Sequence, residues 1–271
     1  MLMGNFLKNR KSIRDYKKKK LDNKVMEDVK VLFEEILEEA NNKYLDFILF
    51  EDGDKIYNSL KGIGGYAGVM VESPHYIGIR LKEVNEESII KASYFTEKLM
   101  GNLSNLNLGS CWLGIKNVDK DIRANVLGEE NKNIAYLVAF GYPKAKNPFI
   151  NESSSSRLGV DEIVFKEELG KPIDIIELEN RGLDDLFYYV RFAPSSFNRQ
   201  PWRFILEKDK VLLLLAYSEE KEINLMDAGI IMYYFEELAK TIGINNRWEL
   251  IQQEDIVDGD IKYKYIGEFS L

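Results

Sequence analysis

Apolar positions along the chain fall into stretches of two periods. At 24–39, Val25, Val29, Leu32, Phe33, Ile36 and Leu37 recur three and four residues apart, which predicts an amphipathic helix. A short apolar run at 45–50 predicts a strand, and Asp52, Gly53 and Asp54 after it have turn chemistry. Residues 57–73 are glycine-rich, with Gly62, Gly64, Gly65 and Gly68. A second strand is expected at 75–81, a long helix at 86–107 and a buried strand at 134–140 ended by Gly141-Tyr142-Pro143. The stretch 144–181 is looser, with a serine run at 153–156, and reads as a connection. Beyond it the pattern resumes: a helix at 183–190, strands at 202–207 and 211–217 around Lys208-Asp209-Lys210, a helix at 225–242 and a strand-like tail at 261–271.

The resumption is a weak internal repeat. Phe47-Ile48-Leu49 matches Phe204-Ile205-Leu206. Leu106, Leu108 and Trp112 match Ile242, Ile244 and Trp248, each triplet following a long helix. Chance similarity of apolar segments can produce such matches. The shared order of strand, long helix and Trp favours duplication. Boundaries are expected at 1–150 for the first half, 151–180 for the connection and 181–271 for the second half.

Composition narrows the function. The chain has 271 residues, 45% of them hydrophobic and 30% charged, an ordinary globular balance. A net charge of -8 argues against non-specific nucleic-acid binding, which needs a basic face. There is no apolar run long enough to span a bilayer and no signal-like N-terminus, so a cytoplasmic protein is expected. One Cys and one His exclude an internal disulfide and a His/Cys metal cluster. A Cys–His dyad would require His75 to meet Cys111. His75 opens a strand and reads as structural. Cys111 reads as a small core residue.

Three clusters carry candidate chemistry. Arg10, Ser12 and Arg14 alternate, so an extended segment puts two guanidiniums and a hydroxyl on one face, a donor set suited to phosphate. A solvated basic terminus has the same composition, with Lys17 to Lys20 beside it. Residues 193–202, Ala-Pro-Ser-Ser-Phe-Asn-Arg-Gln-Pro-Trp, form a stiff polar loop ahead of a strand, or an ordinary helix end and turn. Residues 108–114, Leu-Gly-Ser-Cys-Trp-Leu-Gly, let backbone approach a flat ligand, or simply pack beneath a helix end.

Together with Asp227-Ala228-Gly229 and residues 138–143, these strings resemble the nitroreductase family of FMN-dependent oxidoreductases, over most of the chain. The resemblance implies an α+β, nitroreductase-like fold, with two related halves in one chain mimicking the family homodimer. It implies that Arg10, Ser12 and Arg14 contact the FMN phosphate and flavin edge. Pro194, Ser195, Ser196 and Asn198 match the loop that family members donate across their subunit interface. Asn58 and Lys61 match an Asn-Xaa-Xaa-Lys element at the pyrimidine side of the flavin. Leu113 and Gly114 match backbone near the cofactor, and Arg157 a late phosphate-binding Arg. The chain departs from the common pattern in four respects. Residues 40–44 stand where the serine loop would follow the basic motif, and the second half has no Arg-Xaa-Ser-Xaa-Arg. Ser155 stands where a Lys is frequent, and Asn107 where a Gly is frequent. One composite FMN site per chain and a monomer are therefore expected.

The activity implied is ping-pong hydride transfer from NADH or NADPH through FMN to a nitroaromatic, quinone or similar small acceptor. No catalytic side chain and no metal are required, because the cofactor carries the chemistry. The alternative is a degenerate protein that binds flavin or another small ligand without turnover.

Overall fold

The first unit begins with helix α1 (Asn23–Glu39), which buries Met26, Val29, Phe33 and Ile36, one stripe at helical spacing. Phe33 meets Phe47 of strand β1 (Leu45–Phe50), with ring centroids 5.2 Å apart. The coordinates are a computed structural model that describes residues 4, 6–7, 10–66, 68–145 and 156–271. Helix α2 (Gly53–Leu60) follows, capped by the Asp52 carboxylate accepting from the Lys55 N–H at 3.2 Å. It takes up the start of the glycine-rich stretch. With eight residues and two buried apolar positions, Ile56 and Leu60, its period is too short to see in the sequence. Strand β2 (His75–Leu81) leads into helix α3 (Glu86–Asn105), capped by Asn85 accepting from the Ser88 N–H. Strand β3 (Gly109–Gly114), helix α4 (Lys120–Leu127) and strand β4 (Tyr136–Gly141) complete the unit. The sheet is antiparallel throughout, in the order β1-β2-β4-β3. On one face Tyr76, Cys111, Leu113, Leu137 and Ala139 join Tyr16, Ile56 and Leu60 in a continuous core.

The second unit holds a larger sheet. Helix α5 (Val160–Ile163) and strand β5 (Val164–Lys166) precede helices α6 (Ile175–Asn180) and α7 (Asp184–Val190). Next come β6 (Trp202–Leu206), β7 (Lys210–Tyr217), helix α8 (Leu225–Lys240), β8 (Glu249–Leu250), β9 (Ile256–Asp258) and β10 (Ile261–Ser270). The order is β5-β6-β7-β10-β8, with β9 beside β10. Only the β5–β6 pair is parallel. Helix α8 is apolar almost all round and is buried along its length. It contributes Phe235 to an aromatic cluster with Phe187, Phe204, Trp248 and Phe269, with centroids 5.0–5.8 Å from that ring.

The stretch read as a connection is partly built into this second unit. From residue 160 it carries α5, β5 and α6, and β5 adds an edge to the sheet. The serine run up to 155, including Ser155, lies outside the described residues. The described residues 10–145 form the first unit, and residues 4, 6 and 7 join residues 156–271 in the second. Phe6 is the described residue that ties the chain start there, packing on Tyr233 and Tyr234 at 6.1 and 5.0 Å.

The two units share one topology. Setting β5 and β9 aside, β6-β7-β10-β8 repeats β1-β2-β4-β3, with all pairs antiparallel and the long helix between the second and third strands in chain order. The sequence repeat falls on equivalent places. Phe47-Ile48-Leu49 lies in β1 and Phe204-Ile205-Leu206 in β6. The second match falls where α3 and α8 end. In both, an N–H just past the cap bonds back five residues to the last turn: Leu108 to the Leu103 carbonyl at 3.0 Å, Ile244 to the Ala239 carbonyl at 3.1 Å. The residue just before the donor is left-handed in each, Asn107 at φ 59° and Gly243 at φ 88°. Asn is the side chain that best tolerates that region, which explains Asn107 where the second unit has Gly243.

Candidate functional site

In the first unit, strand β3 is the rail on which the predicted residues gather. It is an edge strand, and the N-terminal segment lies along its outer side: Ser12 bridges Ser110 in parallel, and the Ile13 N–H donates to the Ser110 carbonyl at 2.9 Å. At the other end of β3 the Gly65 N–H donates to the Gly114 carbonyl at 2.9 Å. This seats the loop that follows Asn58 and Lys61 against Gly114. Asn58 is exposed on the last turn of α2, and Lys61 is exposed at its C-cap, with its ammonium 5.6 Å from the centre of the Tyr57 ring. Leu113 is buried, whereas a Cβ on Gly114 would meet open space. The basic motif, the Asn-Xaa-Xaa-Lys element and the Leu113-Gly114 backbone are thus brought together along six residues of strand.

The alternating motif runs from core to solvent. Arg10 is buried. Its Nε and Nη2 donate to the two oxygens of Glu97 at 2.5 and 2.8 Å, and the two side chains are 1% and 0% exposed. Trp112 donates its indole N–H to the same carboxylate at 2.6 Å. The Arg10 fork is therefore paired with Glu97 inside the protein. Ser12 is half-buried and Arg14 is exposed. All three reach the neighbourhood of Cys111. Burial pushes its thiol up, and the charges of Arg14 and Arg10 and a hydrogen bond with Ser12 act in the opposite direction. Cys111 belongs to the core. His75 has its own partners: its Nε2 accepts from the Leu21 N–H at 3.0 Å, and its Nδ1 lies 3.1 Å from the Glu51 carbonyl. Both residues are structural. Beside the motif, Arg14, Lys17, Lys18, Lys20 and Lys144 line a groove shared with Asp54 and Glu72.

In the second unit, the loop at 193–200 is held in a strained conformation. Phe197, Asn198 and Gln200 all have φ between 50° and 55°. The hydrogen bonds that hold it come from three sides. Arg157 donates through Nη1 to the Ala193 carbonyl at 3.1 Å and to Asn198 Oδ1 at 2.7 Å, and Asn198 Nδ2 donates to the Ser156 carbonyl at 3.0 Å. Ser195 Oγ accepts from the Gln200 N–H at 2.9 Å, and Gln200 Oε1 accepts from the Leu158 N–H at 3.0 Å. From beneath, Asp227 in the first turn of α8 accepts the Ser196 N–H at 2.9 Å. Burial pushes its carboxyl up to about 7, against the pull of that N–H and of Arg199. Pro194 and Ser196 are half-buried, and Phe197 is exposed. Arg157 and the Pro194-Ser195-Ser196-Asn198 set, far apart in sequence, thus form one cluster. Glu97, Trp112 and the supporting role of Asp227 were not assigned as site residues from sequence. A carboxylate on the buried stripe of α3, beside Ser93, Tyr94 and Met100, is the signal that marks Glu97.

Two α+β units whose four matched strands share one antiparallel order, each holding a polar segment beside its sheet, define a nitroreductase-type fold. A family model described as "Putative TM nitroreductase" matches residues 4–239, and the chain belongs to that family. A solved "putative nitroreductase" from Thermotoga maritima is 19% identical, covers 98% of this chain and 94% of its own, and has a TM-score of 0.57. Nitroreductase A from Vibrio parahaemolyticus is 14% identical over 69% of this chain and 84% of its own, with a TM-score of 0.47. A Bacteroides fragilis nitroreductase solved with bound FMN is 16% identical over 57% of this chain and 94% of its own, with a TM-score of 0.42. Among curated proteins no match was found. No described helix is long and apolar enough to cross a membrane, and no group of metal-binding side chains occurs among the described residues.

Proposed function

We propose that the chain is an FMN-dependent oxidoreductase that uses NADH or NADPH to reduce a small acceptor such as a nitroaromatic or a quinone. The observation that carries this reading is the convergence on strand β3. Ser12 and Arg14 supply a hydroxyl and an exposed guanidinium at one end, Lys61 an exposed ammonium near the other, and a Cβ at Gly114 would meet open space. That donor set suits a flat ligand carrying a phosphate.

FMN, held by these residues, would supply the hydride-transfer chemistry between dinucleotide and acceptor. The side chains have binding and electrostatic roles. Ser12 and Arg14 hold the phosphate end, and Arg10, fixed by Glu97, anchors the root of their segment. Lys61 places positive charge where it stabilises negative charge on the ring system, and Asn58 supplies a neighbouring amide. Pro194, Ser195, Ser196, Asn198 and Arg157 complete the proposed cofactor set, by the family resemblance. One FMN per chain and a monomer follow from this reading.

A second reading, flavin binding without turnover, is favoured by the commitment of Arg10 to Glu97, which removes one expected phosphate ligand. Titration of the purified protein with FMN, followed by flavin fluorescence, separates the cases. Saturation at one equivalent with NADH- or NADPH-dependent reduction of a nitroaromatic or quinone supports the enzyme. Saturation without turnover supports the binding protein. Two equivalents per chain defeat the composite site, and no binding defeats both readings.

A further inference from the structure

We propose that Asp227 is a positioning residue for the cofactor: its buried carboxylate sets the Ser195–Ser196 backbone at the height at which that loop meets FMN. The proposal rests on the flavin reading above and goes beyond it by assigning a role to a side chain outside the contact set.

Asp227 is only 2% exposed. One oxygen, Oδ1, accepts the Ser196 N–H at 2.9 Å, while the other, Oδ2, is buried and has no hydrogen-bond partner among the described residues. A half-satisfied buried carboxyl is costly, and an apolar residue in the first turn of an otherwise apolar helix would avoid the cost. Its place explains how the group is tolerated. Asp227 sits at the N-terminus of a sixteen-residue helix, where backbone N–H groups favour negative charge. The charged side chain whose field reaches it is Arg199, at the end of the same loop, which also favours the carboxylate.

The loop needs such a fixture. Three of its residues are left-handed without being glycine, a conformation that persists only where surrounding contacts over-determine it. Arg157 and Ser156 fix Asn198 from one side. Ser196, which has extended backbone before it at Ser195, is fixed from beneath by Asp227. An ionised carboxylate accepts an N–H bond about twice as strongly as a neutral acceptor, so ionisation tightens this fixture. Burial places that ionisation near neutral pH.

The test compares wild type with D227N, which keeps an acceptor but cannot ionise, and with D227A, which keeps none. FMN affinity is measured by fluorescence titration from pH 6 to 8.5. Amide exchange of residues 195–200 is followed in the ligand-free protein over the same range. FMN's own phosphate titrates near the lower limit, and it cancels in the comparison with D227N. Wild type is expected to bind FMN about fivefold more tightly at high than at low pH relative to D227N, with Ser196 protection rising in parallel. D227A is expected to bind about tenfold to a hundredfold more weakly and to lose Ser196 protection at every pH. The proposal is overturned if D227N keeps the wild-type pH profile in both measurements, or if D227A leaves Ser196 protection and FMN affinity unchanged. If wild type binds no FMN, the flavin reading fails. The amide measurement then still decides whether Asp227 holds the loop.

Discussion

Arg10 and Arg14 have the same side chain four residues apart, and their surroundings give them different work. Arg10 forms a two-pronged pair with Glu97 in a site from which water is excluded, and Trp112 satisfies the same carboxylate. Removing one partner of such a pair strands a buried charge. E97Q is therefore expected to cost about 3–5 kcal/mol in urea unfolding, and the double variant R10M/E97L to recover much of that loss. Arg14 is exposed, so R14A should leave the unfolding midpoint unchanged. Its effect should appear in FMN affinity, weakened by about tenfold to a hundredfold, as expected for loss of a charge-assisted contact. An R14A protein that binds FMN as wild type does would remove Arg14 from the phosphate site. Alternation in the sequence identified the segment and its donors. Glu97, 87 residues away, decided which guanidinium is available.

At the scale of elements, the repeat is clearest in the spacing. The two matched strand motifs are 157 residues apart and the two matched helix ends 136, a difference of 21. The β1–β2 connection, 51–74, is 24 residues and the β6–β7 connection, 207–209, is 3, again a difference of 21. The extra residues are helix α2 and the glycine-rich loop, which carry Asn58 and Lys61. This insertion accounts for the presence of that element in one unit and its absence from the other. The shared helix ends give a direct test of equivalence. At position 243 a left-handed residue is required and the space around it is open. G243A should cost about 1–2 kcal/mol from backbone conformation alone. G243N, which copies Asn107, should cost about half as much or less, because Asn tolerates that region. Equal losses for the two variants would show that the turn is not governed by conformation.

For the molecule as a whole, two buried titratable groups set opposing pH dependences. Burial holds His75 below the range of an exposed histidine. The unfolded chain therefore takes up that proton first, and stability present above about pH 6.5 is lost as the pH falls. Asp227 acts in the other direction. Its folded-state value, near 7, lies far above that of an unfolded aspartate, so the folded chain keeps its proton to higher pH. Its contribution is complete at low pH and is lost as the pH rises through about 7. Urea unfolding at pH 5, 6, 7 and 8 should show wild type losing stability relative to D227N across that range, and gaining it relative to H75Q. A wild-type–D227N difference that does not change with pH would show that the carboxyl does not titrate there in the folded protein.

The elements that the sequence determined are those with a long or regular apolar period: α1, α3 and α8, and strands β1, β2, β4, β6, β7 and β10. Each buries a stripe or face that its own spacing defines, so local pattern and tertiary burial agree. The short pieces α2, α4, β5, β8 and β9 have two to eight residues, too few for a period to register, and they form because neighbours complete them. The family was legible because its strings depend on local chemistry: a polar loop between prolines, alternating donors, small residues at a helix end. What the tertiary structure decided is which of those groups keep their donors for a ligand. Charge, unlike burial of an apolar face, is settled by partners distant in sequence. Glu97 takes the fork of Arg10, and Asp227 takes the Ser196 N–H and is itself moved toward neutral pH by burial.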